Sequence, residues 1–201
     1  MKKYIAEGFG TFVLTLVVAL SLTSFFSIET PLLAALTVGL FVYALADISG
    51  GHVNPAVTIG LWSIKKISSS DALKYIFAQF LGGALAFFIF SVISAGEAFS
   101  VATPSNSFNI FVAEFVGMFI YAFFIASFVC GRVPSQLFGI FIGSALLLGI
   151  VVAMLIGSEG WINPAVALGV RSLNLAYLLA PLAGSMLGMN AFKLLDGCKS
   201  S

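Results

Sequence analysis

Two copies of the tripeptide Asn-Pro-Ala interrupt an otherwise apolar chain. The first copy lies in HVNPAVT, from His52 to Thr58, and the second in WINPAVA, from Trp161 to Ala167. Asn and Pro are unfavourable inside an apolar helix. However, Asn is a preferred N-cap, and Pro is well tolerated at the first helical position. Each motif therefore predicts the start of a helix, and the first predicts a short helix over residues 55–64.

The composition predicts an integral membrane protein. Of the 201 residues, 60% are hydrophobic and only 8% are charged, whereas a soluble domain carries about 25% charged residues. The net charge of +1 and the lack of any basic patch indicate no nucleic-acid partner. The single histidine, the lack of a phosphate-binding loop and the lack of a metal pattern argue against an enzyme and against a cofactor. We interpret Cys130 and Cys198 as ordinary thiols, because they have no metal-ligand spacing.

The apolar runs predict an all-α membrane protein with six transmembrane helices and two re-entrant half-helices. A spanning helix needs about 20 apolar residues. The segments that satisfy this are roughly 4–26, 32–49, 72–95, 108–130, 136–157 and 174–195. The two connecting segments, 50–71 and 158–173, each contain one Asn-Pro-Ala. A helix over 55–64 is about 15 Å long, half of the roughly 30 Å hydrocarbon thickness, so it is too short to cross.

Basic residues predict that both termini are cytoplasmic, because cytoplasmic loops are enriched in Lys and Arg. With six spans, eight of the nine Lys and Arg residues fall on the same side as the termini, and Arg171 is the exception. The chain is also an apparent inverted repeat of about 1–100 and 101–201 within one transmembrane domain, since AEGFGTF at 6–12 matches AEFVGMF at 113–119. Three spans per copy make the second copy enter the membrane from the opposite face.

Two half-helices entering from opposite faces would meet near the midplane with their N-termini facing each other. Each N-terminus carries about half a positive charge. Irregular backbone at that depth is tolerated only where protein buries it or water reaches it. The stretches SGGH at 49–52 and SEGW at 158–161 can present carbonyl groups along one wall. The pattern predicts a narrow passage for neutral hydrogen-bonding molecules that repels cations.

These features resemble the aquaporin, or major intrinsic protein, family along essentially the whole chain. The resemblance is carried by the A-E-x-x-G start of each half, by SGGHVNPAVT and by the second INPA, and AQFLGGALA at 78–86 looks like the third span of that family. The resemblance implies a homotetramer in a cell membrane, with one pore per subunit. It assigns the central donor motifs to the residues Asn54, Pro55, Ala56, Asn163, Pro164 and Ala165.

The resemblance also implies roles for residues around the pore. Gly50, Gly51 and His52 would line the cytoplasmic constriction, and Glu7 and Glu114 would be buried and brace the re-entrant loops. An alternative for each glutamate is an interfacial charge near a helix end. An alternative for His52 is a packed core histidine.

The chain departs from the family at the outer filter. The family usually has Arg directly after the second Asn-Pro-Ala, and this chain has Val166 there. Counting from the two asparagines gives a filter of Ala34, Val151, Gly160 and Val166, which has no cation and no side-chain donor. The sequence does not decide whether Gly160 or Trp161 faces this filter. Trp161 is otherwise an aromatic anchor at the membrane interface.

The sequence favours a passive channel for water and small uncharged solutes, such as glycerol, urea or neutral arsenous or boric acid. Two alternatives remain at this point. A secondary transporter also uses inverted repeats and broken helices, although this chain offers few buried groups that titrate. A closed structural membrane protein would conduct nothing under an osmotic gradient.

Overall fold

A computed structural model describes residues 1–23, 28–94 and 108–196, and every regular element in these ranges is a helix. There are eight α-helices in the described ranges, plus one short 3-10 helix at Ser135–Leu137. The α-helices are α1 Lys2–Leu22, α2 Thr30–Leu45, α3 Pro55–Ser63, α4 Ser69–Ile93, α5 Phe108–Val129, α6 Phe138–Ile156, α7 Pro164–Gly169 and α8 Leu175–Asp196.

Five segments are helical, long and apolar enough to cross a membrane: α1, α4, α5, α8, and α6 together with the 3-10 turn before it. The helix α2 is also apolar but has only 16 residues, or about 24 Å at 1.5 Å per residue. It ends at Leu45, four residues before the predicted end of the second span. The reason is a chain reversal, in which the backbone N–H of Gly50 donates to the carbonyls of Leu45 and Ala46.

The two Asn-Pro-Ala motifs begin the two shortest α-helices in the described ranges. The first, α3, has nine residues and agrees with the predicted range of 55–64. The second, α7, has six residues. In both, Asn is the N-cap in an extended conformation and Pro is the first helical residue, as capping preferences require.

The long helices pack so that each half supports the short helix of the other half. The helix α1 packs on α4, and α5 packs on α8, while α2 packs on α6. The helix α3 then lies against α8, and α7 lies against α4. Small residues allow these contacts, because a Cβ added at Gly83 of α4 would collide with the carbonyl oxygen of Ala165 in α7.

One expectation about the cysteines is wrong. Cys130 follows the end of α5, and it is disulfide-bonded rather than an ordinary thiol. Cys198 lies outside the described residues.

We expect Gly83→Leu to destabilise the protein, because the new side chain would meet backbone atoms that cannot change rotamer. Overpacking of this kind costs about 1–3 kcal/mol or more. The matched control is Ala84→Leu, whose side chain lies on the exposed face of α4. The measurement is the thermal midpoint of aggregation in detergent. Equal midpoints for the two variants would contradict the close contact between α4 and α7.

Candidate functional site

Each asparagine of the two motifs caps the half-helix that follows it. The side-chain oxygen of Asn54 accepts from the backbone N–H of Ala56 at 2.8 Å. The oxygen of Asn163 accepts from the N–H groups of Ala165 at 3.1 Å and Val166 at 3.4 Å. These bonds satisfy backbone donors that have no partner within the helix. They also fix which end of each side-chain amide is the donor.

The donor end of each asparagine binds the loop of the opposite half. The Nδ2 group of Asn54 donates to the carbonyl of Ile162 at 3.0 Å, and the Nδ2 group of Asn163 donates to the carbonyl of Val53 at 3.0 Å. The two bonds are reciprocal and hold the starts of α3 and α7 together. Since a primary amide has two N–H groups, each asparagine has one N–H beyond the one that binds the opposite loop.

Both carbonyl partners belong to residues with strained backbones. Val53 has φ of 41° and Ile162 has φ of 35°. Positive φ is a genuine outlier for a β-branched residue, with a cost of order 1–3 kcal/mol each. This conformation directs the Val53 and Ile162 carbonyls to the opposite asparagine, so surrounding contacts must stabilise it.

Glu7 supplies those contacts in the first half. It is fully buried, and its carboxylate accepts from the backbone N–H groups of His52 at 2.9 Å and Val53 at 2.7 Å. It also accepts from the Ser49 hydroxyl at 2.7 Å and from the Gln79 amide at 2.8 Å. Charge-assisted bonds of this kind are about twice as strong as neutral ones. Glu7 therefore fixes the loop before α3.

Glu114 has the same role in the second half. It is also fully buried, and it accepts from the backbone N–H groups of Trp161 at 3.0 Å and Ile162 at 2.6 Å. The hydroxyl of Ser158 donates to the same carboxylate. Ser158 in turn accepts from the N–H of Gly160 at 3.0 Å, as Ser49 accepts from Gly51 at 3.2 Å. The two loops thus make matched contacts residue by residue.

A cavity of about 120 Å³ reaches the two asparagines from one end of the helix bundle. A water needs roughly 10–15 Å³ of such space, so the cavity holds several waters or a small polyol. Both Asn54 and Asn163 line it, and most of its remaining wall is apolar. The charged lining residues are Glu29 and Glu159, and no Lys or Arg of the described chain lines it.

The sequence comparisons agree with this geometry. The sequence model of the family described as "Major intrinsic protein" matches residues 1–192. The chain is 33% identical to aquaporin AqpM of Methanothermobacter marburgensis over 96% of this chain and 97% of that protein. It is 31% identical to Nodulin-26 of Glycine max over 94% and 75%, and 30% identical to aquaporin Z of Photorhabdus laumondii over 97% of each.

The chain belongs to the major intrinsic protein family. It is therefore a multi-pass integral membrane channel, not an enzyme, and it passively conducts water and small solutes. The X-ray structure of the aquaglyceroporin from Plasmodium falciparum shares its fold, with a TM-score of 0.70 and 23% identity over 97% of this chain and 95% of that one. The predicted all-α membrane fold is confirmed.

The residues predicted at the cytoplasmic constriction have different environments in this channel. His52 lines the cavity, whereas Gly50 and Gly51 do not. The ring of His52 lies 3.1 Å from the Thr58 hydroxyl through Nδ1, and it packs edge-on against Tyr75 with centroids 5.0 Å apart. The two glycines instead allow the turn, with φ of 88° and 64°, values that glycine adopts without strain.

Three of the four predicted filter residues line one cavity, and the fourth does not. Ala34, Gly160 and Val166 line it together. Val151 is 37% exposed and does not line this cavity. Ile150 lines the cavity. Leu146 and Met154, which lie four residues before and after Ile150 on the same face of α6, line it as well. Successive side chains of a helix point about 100° apart. A residue count from the motif asparagine that differs by one position therefore selects a different face of α6.

The sequence analysis did not assign several residues that complete the site. Ser49, Ser158 and Gln79 bind the two buried glutamates. Tyr121 lines the cavity, and so does Trp161, which is only 7% exposed. The repeat offered a signal for the two serines, since each lies five residues before a motif asparagine. Arg171 is exposed, with its guanidinium 5.7 Å from the Phe87 ring, away from the cavity.

We expect Glu114→Gln to loosen the second loop. Glutamine places an NH2 group where a carboxylate oxygen accepts a hydrogen bond, so two donors face each other at a cost of about 2–3 kcal/mol. The thermal midpoint in detergent should fall by about 5 °C or more, and water permeability should decrease. Glu159→Gln is the control, because Glu159 is in the same loop but exposed. Equal midpoints for both variants would contradict the bracing role of Glu114.

Proposed function

We propose that this channel conducts neutral solutes larger than water, including glycerol, urea and undissociated hydroxides such as arsenous or boric acid. The observation that carries the proposal is the composition of the outer cavity. Ala34, Gly160 and Val166, together with Ile150, line it without a cationic side chain. Ala34 has only a methyl side chain and Gly160 has none. The cavity should therefore be wider here than a filter that contains Arg.

The absence of a filter cation also changes how this pore excludes ions. We assign cation exclusion mainly to the N-termini of α3 and α7, which carry partial positive charges, and to the uncommitted asparagine N–H groups. Glu29 and Glu159 lie at the cavity mouth, and their charges favour cations there. We therefore expect weaker discrimination against cations than a filter with Arg gives.

We further propose the arrangement in the membrane. The basic side chains support a cell-membrane protein with both termini cytoplasmic. The matched contacts of Glu7 and Glu114 support two inverted repeats, about 1–100 and 101–201, within one channel domain. Exposed apolar side chains on α2 and α6, such as Leu40 at 68% and Ile140 at 66%, are compatible with a homotetramer that has one pore per subunit.

The variant Val166→Arg tests the proposed filter. A long cation in the cavity should lower glycerol and urea permeability by at least about tenfold, equivalent to about 1.4 kcal/mol, and should reduce cation leak. Val166→Met is the matched control, because it adds length without charge and should not reduce the leak. The measurement is stopped-flow light scattering on proteoliposomes, with a fluorescent dye for ion leak.

Two results would contradict the proposal. Wild-type protein that conducts water but neither glycerol nor urea would exclude the proposed solute class. If Val166→Arg changes the permeability to none of the tested solutes, residue 166 is not at the filter.

A further inference from the structure

Trp161 occupies, in the second loop, the position that His52 occupies in the first. Each donates its backbone N–H to the glutamate of its own half, His52 at 2.9 Å and Trp161 at 3.0 Å. Each directly precedes a residue with positive φ. Both line the cavity that contains the asparagine pair. This position of the repeat therefore contributes a side chain to the passage in each half.

The polar group of Trp161 has no partner, unlike that of His52. Trp161 is 7% exposed, and its indole nitrogen is buried without a hydrogen-bond partner among the described residues. His52 has the Thr58 hydroxyl beside its ring at 3.1 Å. The large majority of buried side-chain donors in proteins are satisfied. Because Trp161 is also a lining residue of the cavity, a molecule within that cavity can supply the missing acceptor.

Tyr121 provides a second polar group on the same wall. It is 3% exposed, and it lines the cavity. The corresponding residue of the first half is Leu14, since each lies seven residues after its buried glutamate. Leu14 also lines the cavity and has no polar atom in its side chain. The second half thus places an indole N–H and a phenol on this wall, where the first half has an imidazole beside Thr58 and an apolar leucine.

We propose that Trp161 and Tyr121 bind the oxygen atoms of passing solutes and favour neutral molecules with several hydroxyl groups. This inference rests on the proposed function, because it concerns how solutes larger than water cross the same cavity. A polyol that enters an apolar passage loses hydrogen bonds to water, and unpaired polar groups are costly in such surroundings. The indole N–H and the phenol can replace those bonds without a charge.

Two substitutions remove the polar atoms, the first with little change of shape and the second together with part of the ring system. Tyr121→Phe removes one oxygen, and Trp161→Phe removes the indole N–H. The matched controls are Tyr43→Phe and Trp62→Phe, whose polar groups bind the carbonyl of Gln136 and the hydroxyl of Ser69 and lie outside this cavity. The measurement is the ratio of glycerol to water permeability in proteoliposomes, by stopped-flow light scattering.

We expect Tyr121→Phe and Trp161→Phe each to lower the ratio of glycerol to water permeability about fivefold, which corresponds to about 1 kcal/mol for one lost hydrogen bond. The two controls should leave the ratio unchanged. Trp161→Phe distinguishes a loss of solute binding from a widening of the passage, because phenylalanine is smaller than tryptophan. If Trp161 only obstructs the passage, the substitution should raise glycerol permeability.

The inference is overturned if the ratio of glycerol to water permeability is unchanged or higher in both cavity variants. Equal losses of the two permeabilities are one form of an unchanged ratio. Wild-type protein that fails to conduct glycerol faster than empty liposomes would overturn the proposed function as well. Wild-type conduction of glycerol with an unchanged ratio in the variants would overturn only the assignment of Trp161 and Tyr121.

Discussion

The reciprocal bonds between the two loops are the interaction on which the rest of the structure depends. Asn54 donates to the carbonyl of Ile162, and Asn163 donates to the carbonyl of Val53, each at 3.0 Å. In a bilayer core, unsatisfied backbone groups cost several kcal/mol each. The exchange satisfies two of them and leaves one further N–H on each asparagine. The side chains that hold the two loops together therefore also supply the donors that we propose for solute recognition.

This exchange requires backbone strain, and the buried glutamates stabilise it. Val53 and Ile162 have φ of 41° and 35°, which β-branched residues rarely adopt. Glu7 and Glu114 bind the N–H groups of these residues at 2.7 Å and 2.6 Å, while the opposite asparagine binds the carbonyl group. Each strained residue is therefore held from both sides, once by its own half and once by the other. The opening between the half-helices is fixed accordingly.

Local rules predicted the parts of this site that depend on neighbours in sequence. Asn-Pro gave the starts of α3 and α7, because capping involves residues two and three positions away. The buried positions of Glu7 and Glu114 followed from the resemblance of the two halves to the family, since their partners lie more than 40 residues away. The helix α2 ends before the second span predicted from hydropathy, because residues 46–49 form a turn that a hydropathy pattern does not reveal.

Features that depend on tertiary contacts could not be predicted. No propensity favours positive φ at Val53 or Ile162, and it is maintained only by bonds from distant residues. Counting residues selects Val151, whereas Ile150 lines the cavity, because a count does not fix the rotation of a helix about its axis. The orientation of Trp161 depends on the turn at Gly160, which has φ of 70°. This dependence explains why the sequence left open which of the two residues faces the cavity.

The most direct test of the account is a high-resolution experimental structure of the channel in lipid that resolves ordered water. The account predicts water within hydrogen-bonding distance, about 2.7–3.2 Å, of the Nδ2 atoms of both Asn54 and Asn163, continuous with the outer cavity. A dry contact in which both amides bind only protein atoms would contradict it, as would two asparagines too far apart to bind the opposite loops.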